Sequence, residues 1–118
     1  MHFIEYYTDK RGRQPVVEWQ NRLDIRNDHI IDNKIKKLME NGLKVLDTNM
    51  FDVIQGDDSD FYELKGGLNK QCRIAIYHDK RRNTFILLHG WLKKKGRDEQ
   101  NIEQARTILH RYLSTQGE

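Results

Sequence analysis

Apolar and polar positions alternate along this chain with two different periods. HFIEYY, at the start, is aromatic and β-branched and predicts a first strand over residues 3–7. DKRGRQ is a charged turn, and Pro15 suits the first turn of a helix, where its missing N–H costs nothing. Val16, Trp19, Leu23 and Ile25 give that helix an apolar stripe. Asn27 or Asp28 can cap a second helix, in which Ile31, Ile35, Leu38 and Met39 recur at helical spacing until Gly42. Two helices so close in sequence predict a hairpin covering one face of a sheet. Residues 43–60 show no clear period. Met50, Phe51, Val53 and Ile54 fit either a turn of helix or an irregular flap, followed by the acidic turn QGDDSD.

Beyond Asp60 the period becomes two. FYELK, QCRIAIYH and NTFILLHGWLK read as three strands joined by GGLNK and DKRRN, and such short loops imply antiparallel neighbours. DEQNIEQARTILHRYL then returns to helical spacing, with Ile102, Ala105, Leu109, Tyr112 and Leu113 on one stripe and Asp98 near its cap. The expected architecture is α+β in the order β-α-α-β-β-β-α. It is a single domain over residues 1–118, an antiparallel sheet of about four strands with the helices against one side.

Charge changes the picture more than composition does. The net of +3 over 118 residues hides three blocks. Residues 1–60 hold 9 Lys and Arg against 12 Asp and Glu, residues 61–97 hold 10 against 2, and residues 98–118 hold 2 against 4. A basic block this concentrated is what a phosphate backbone attracts, although a lysine-rich surface can also be only a solvated one. Cys72 is the single cysteine, so no internal disulfide can form, and a reducing compartment fits. No apolar run reaches the length of a membrane span or signal peptide, and a soluble cytoplasmic protein is expected. The five histidines are scattered without HExxH spacing, which argues against zinc, and GGLNK lacks the phosphate-loop pattern. No metal or other cofactor is expected.

Alternation along the strands groups the polar residues. Pairing Tyr77 with Phe85 and Glu63 with Arg73 puts Glu63, Lys65, Arg73, His89 and Lys93 on one face. Leu64, Ile74, Ile76, Ile86 and Leu88 then form the core on the other. Arg73 can grip a phosphate with two hydrogen bonds, and His89 can move protons near neutral pH. Lys94, Lys95 and Arg97 extend the field, and Tyr77 and Trp91 could stack on bases. Plainer roles stand beside these. Glu63 and Arg73 make a reasonable cross-strand ion pair, Trp91 suits the base of the last helix, and Tyr112 suits its buried stripe.

These residues carry a likeness. FYELKGGLNKQCRIAIYHDKRRNTFILLHGWLKKK resembles the core of the RelE/ParE toxin superfamily, and more narrowly its HigB-like, phage-derived branch. Tyr62, Glu63, Leu64 and Lys65, then Arg73, then Leu88, His89, Gly90 and Trp91 with Lys93 and Lys94 are the matching positions. The resemblance implies the toxin of a type II toxin–antitoxin system: a ribosome-dependent mRNA endonuclease that needs no metal and uses the 2′-OH as nucleophile. It implies that Lys65 activates the 2′-OH, that Arg73 stabilises the phosphate, and that His89 or Lys93 serves the leaving group. Glu63, Tyr77, Trp91, Lys94, Lys95, Arg97 and Tyr112 would bind RNA. The partners implied are ribosome, mRNA and a helix-turn-helix antitoxin, with no membrane. A gyrase poison of the ParE kind, a non-catalytic nucleic-acid-binding module and an inactive prophage toxin are the alternatives. GRDEQN stands where relatives often carry a Thr-x-x-Pro-like stretch, and QGDDSDF adds acids beside the basic face.

Overall fold

The computed structural model describes residues 1–94, 96 and 98–116. The elements are β1 (Phe3–Tyr6), α1 (Pro15–Asn21), α2 (Ile25–Asn41), β2 (Phe51–Val53), β3 (Phe61–Gly66), β4 (Cys72–Asp79), β5 (Thr84–Leu92) and α3 (Asp98–Gln116). A turn of 3-10 helix, Gly42–Asp47, follows α2, and another, Leu68–Lys70, joins β3 to β4. Pro15 opens α1 as expected. The cap of α2 is Asp24, one turn earlier than Asn27 or Asp28, and its carboxylate accepts the Asn27 N–H at 2.8 Å. Asn27 instead accepts the Leu68 N–H at 2.7 Å, which pins the β3–β4 loop to α2. Gly67 in that loop has φ +80°, and a Cβ there would lie 2.6 Å from Cys72 Sγ, so no other residue suits the turn.

The sheet has five strands in the order β1-β5-β4-β3-β2. This corrects the expectation of about four antiparallel strands in two respects. Residues 51–53 are neither helix nor flap but a short edge strand, Phe51 opposite Leu64 and Val53 opposite Tyr62. β1 joins the other edge parallel to β5, Phe3 opposite Thr84 and Tyr6 opposite Leu87, so the sheet is mixed.

Helices also cover both faces, not one. Under α1 and α2 lie Val16, Trp19, Ile31, Ile35 and Leu38 against Leu64, Ile74, Ile76, Phe85 and Leu87. Under α3 lie Ala105, Ile108, Leu109 and Tyr112 against Phe61, Ala75, Ile86, Leu88 and Trp91. The expected core group is therefore split, with Ile86 and Leu88 on the α3 side. Two facts cause this. Tyr77 pairs with Ile86, one residue away from the expected Phe85. A bulge then intervenes, because Ile76 faces Leu87 while Ala75 faces His89, leaving Leu88 without an opposite. Beyond the bulge the parity of β5 is reversed, and His89 and Trp91 join the face of Arg73 and Ala75. Within α3, Ile108 takes the buried place expected of Leu113, which is half exposed. No helix of the described residues is long and apolar enough to cross a membrane.

Candidate functional site

β3 and β4 bring Glu63, Lys65 and Arg73 to the α3 face. Lys65 lies opposite Arg73, Arg73 opposite Trp91, and Glu63 opposite Ala75. The Arg73 side chain is only 7% exposed and that of Glu63 14%, and Arg73 Nε lies 2.8 Å from Glu63 Oε1. This is a diagonal ion pair, not the directly opposed one expected. Lys65 Nζ is bound to the Asp52 carboxylate, which β2 supplies from the sheet edge. Lys93 Nζ approaches Asp98 Oδ2 at 3.8 Å, and the other Asp98 oxygen accepts the Trp91 indole N–H at 3.2 Å.

Burial pushes the Glu63 carboxyl above the usual carboxylate range. Arg73 opposes that shift, Asp98 adds to it, and Lys65 and Lys93 oppose it. The same carboxylate therefore feels all three cations. A groove of about 530 Å³ between β2 and α3, lined by Val53, Ile102 and Arg106 among others, reaches Glu63.

His89 belongs to an adjoining set of contacts. Its Nε2 lies 3.0 Å from Asn101 Oδ1, and its ring stacks on Trp91 with centroids 5.5 Å apart. Burial lowers its pKa, and the bond to Asn101 partly opposes this, so the imidazole is neutral near pH 7. It lies on the floor of an open groove of about 710 Å³ whose walls include Arg22, Trp91, Lys94 and Asn101.

The aromatic residues are placed differently from the expected base-stacking surface. Trp91 is 4% exposed and sits over the base of α3. Tyr77 is half-buried and packs on Tyr112, with ring centroids 5.8 Å apart. Tyr112 is buried, and its hydroxyl donates to Asp79 Oδ2 at 3.0 Å and accepts from Arg82 Nη1 at 2.9 Å. Trp91 and Tyr77 are spent on packing against α3, and Tyr112, on α3 itself, packs back on the sheet. Lys94 is exposed, and Lys95 and Arg97 lie outside the described residues. Asp52, Asp98, Asn101 and Arg22 are the polar neighbours that sequence reasoning missed. Only Asp98 carried a signal, as a helix cap. Among the described residues no group of three His, Cys, Asp or Glu is placed to hold a metal ion.

No family model matches the chain, and no curated protein does. Among solved structures, a chain of the toxin–antitoxin complex RelBE2 from Mycobacterium tuberculosis is similar at 12% identity and a TM-score of 0.47, with 78% of this chain and 98% of that one covered.

Proposed function

We propose that this protein is the toxin of a type II toxin–antitoxin pair, of RelE/ParE type in the HigB-like branch, and that it cuts ribosome-bound mRNA without a metal. The observation that carries this reading is the convergence of Lys65, Arg73 and Lys93 around Glu63 at the end of the sheet where α3 begins, with His89 in the adjoining groove. In the reaction the 2′-oxygen forms a bond to the adjacent phosphorus as the bond to the 5′-oxygen breaks. A proton leaves the 2′-OH, another reaches the 5′-oxygen, and a 2′,3′-cyclic phosphate remains. Cations near the phosphate stabilise the charge that builds there. Arg73 and Lys65 supply this, the substrate phosphate displacing Asp52 from Lys65. The resemblance gives activation of the 2′-OH to Lys65, but Lys65 is held by Asp52, and a neutral His89 suits the proton acceptor better: when Nε2–H donates to Asn101, Nδ1 holds the lone pair. Lys93, more exposed, serves the leaving oxygen. A helix-turn-helix antitoxin and a cytoplasmic location belong to the same reading.

A second reading, binding without cleavage, draws on a specific observation. Lys65 and Arg73 are each already bound to a carboxylate, which offsets the field they present. One experiment separates the two. Purified protein is added to translating ribosomes and mRNA 5′ ends are mapped. New 5′-hydroxyl ends that disappear with Arg73→Lys, which keeps the charge beside Glu63 but loses the planar fork, support cleavage. Uncut mRNA that is nevertheless bound in a salt-sensitive way overturns it in favour of the second reading. DNA breaks with intact mRNA would overturn both.

A further inference from the structure

The groove at His89 does not end there. It meets a hollow of about 340 Å³ at His89 and Gln104, and this meets another of about 310 Å³ at Asp9 and Pro15. The last opens at Tyr7 and Arg111 into a fourth, of about 610 Å³, beside the loop that leads into α1. Together they make a channel along one side of α3, with the end of β5 as part of its floor and α1 and the loop before it as the far wall.

Its cations outnumber its acids. Lys94 and Arg22 line one end, and Lys10, Arg11 and Arg111 the other, with Arg13 between. The two acids on the walls are engaged. Glu18 binds Arg13 at 2.8 Å, and Asp9 accepts the backbone N–H groups of Arg11 and Arg13 at 2.8 and 2.9 Å. Among the described residues none of Lys94, Arg22, Lys10, Arg11 and Arg111 has a carboxylate within ion-pair distance. In the sheet cluster, by contrast, Lys65, Arg73 and Lys93 all face acids. Glu18 also acts on Arg22 at longer range, so the fold neutralises the cations of the channel only in part.

We propose that the channel is a track for single-stranded RNA, with phosphates held by Arg22 near one end and Arg111 near the other. The α3 wall between the two ends offers the side-chain amides of Gln100 and Gln104, which can donate to phosphate oxygens. The hydroxyls of Thr107, Ser114 and Thr115 donate to carbonyls of their own helix, which leaves their oxygens to accept from ribose 2′-OH groups. An amphipathic helix would need a row of apolar anchors at helical spacing, whereas the lining residues of α3 include Ile108 alone of that kind. From Gln100 to Thr115 the wall runs about 22 Å at 1.5 Å per residue. That suits a stretch of about four nucleotides, the short end of single-strand sites. Trp91 lines the Lys94 end, and its indole binds Asp98, which Lys93 also approaches, so that end adjoins the sheet cluster. The inference rests on the proposed nuclease reading only for naming the polyanion as mRNA.

Binding of a labelled eight-nucleotide RNA with 2′-O-methyl groups, which cannot be cut, tests this by fluorescence anisotropy across a salt series. At 0.1 M salt, Arg22→Ala and Arg111→Ala should each weaken binding about fivefold, and the double variant about 25-fold. The double variant should also flatten the slope of log affinity against log salt by about 1.4. Arg26→Ala, on α2 away from the channel, makes the same change in net charge as either single variant and should stay within about twofold of wild type. Circular dichroism melts confirm that each variant is folded. Wild-type affinity in the double variant, or an equal loss with Arg26→Ala, overturns the track. Displacement of the RNA by an acidic peptide at lower concentration than unlabelled RNA overturns the assignment to RNA. Failure of mRNA cleavage would overturn the nuclease reading and leave this result standing. Cleavage with unaltered binding in the double variant would overturn the track alone.

Discussion

Replacing Arg73 by alanine would remove the counter-ion from a buried carboxylate. Only 7% of the arginine side chain and 14% of the Glu63 side chain are exposed, and they are 2.8 Å apart. Breaking a buried pair by deleting one partner costs about 3–5 kcal/mol, a large share of the roughly 5–15 kcal/mol that holds a domain together. Glu63 has an escape, which is to take up a proton. Burial already raises its pKa with Arg73 in place, and without Arg73 the shift must grow. A carboxyl whose folded pKa lies above its unfolded value binds a proton on folding. Its effect on stability is absent below the unfolded value, and stability falls as pH rises through the interval between the two. Loss of Arg73 widens that interval upward. The penalty should thus be small near pH 4 and grow by at most about 1.4 kcal/mol per pH unit until Glu63 ionises. Urea unfolding of wild type, Arg73→Ala, Glu63→Gln and the double variant at pH 5 and pH 8 measures this. With a urea slope of about 2 kcal/mol per molar, the Arg73→Ala midpoint should drop by about 2 M at pH 8. At pH 5 it should drop by less than half of that, and the double variant should regain most of the loss. Equal losses at the two pH values, or a double variant no better than Arg73→Ala, would refute the reasoning.

Tyr112→Phe removes a hydroxyl bonded to both Asp79 and Arg82 and should cost about 1–3 kcal/mol by thermal unfolding. Burial, aided by Asp79, pushes the Tyr112 pKa up to about 12 from 10, so wild type should lose stability as pH rises between those values. Tyr112→Phe should lack that alkaline step, and its persistence would contradict this. Asp58 ties the loop before β3 to α3 through Arg106 Nη1 at 2.7 Å and His110 Nε2 at 2.8 Å. Burial works against its ionisation, but these two bonds outweigh it and hold the carboxyl below the usual range. Its contribution is present above the unfolded pKa and lost as pH falls through the folded one. Asp58→Asn should therefore flatten the acid limb of the stability curve and speed amide exchange at Ile54; unchanged exchange would count against the clamp. A Cβ on Gly90 would lie 2.6 Å from Cδ2 of Trp19, so Gly90→Ala should cost about 1–3 kcal/mol and shift the Trp19 fluorescence; an unchanged midpoint would show that α1 moves aside freely.

The helices are legible because their stripes are long: Ile31, Ile35 and Leu38 recur over several turns, as do Ile102, Ala105 and Leu109. β2 is three residues long, too short for a period to show, and with it Asp52, the partner of Lys65, goes unseen. β1 reads as a strand, but nothing local in FIEY says that it pairs parallel with a segment some eighty residues later. The second helix-covered face is hidden because Tyr77 and Ala75 share it with Glu63 and Arg73, and alternation alone reads such a mixed face as open. The bulge at Leu88 has no signature in ILLHGWL, where three apolar residues in a row fit either parity. Its parity reversal still brings His89 and Trp91 to the face that simple alternation assigned them, while moving Phe85 and Leu87 away from it. Agreement on His89 thus came from two errors that cancel.

The pairing of Phe3 with Thr84 sets a clock. β1 is synthesised before the other strands of this sheet, yet its only partner in the sheet is β5. At about 5–20 residues per second, roughly 4–16 s of synthesis separate the two. During that time an aromatic edge waits without a neighbour, and the second layer over the sheet, α3, has not been made. A nascent chain that has not yet reached β5 can build the α1–α2 hairpin but not the sheet face that carries Arg73 and His89. Anything that binds the early chain, from a folding helper to a protease, therefore meets a protein whose chemistry has not yet been assembled.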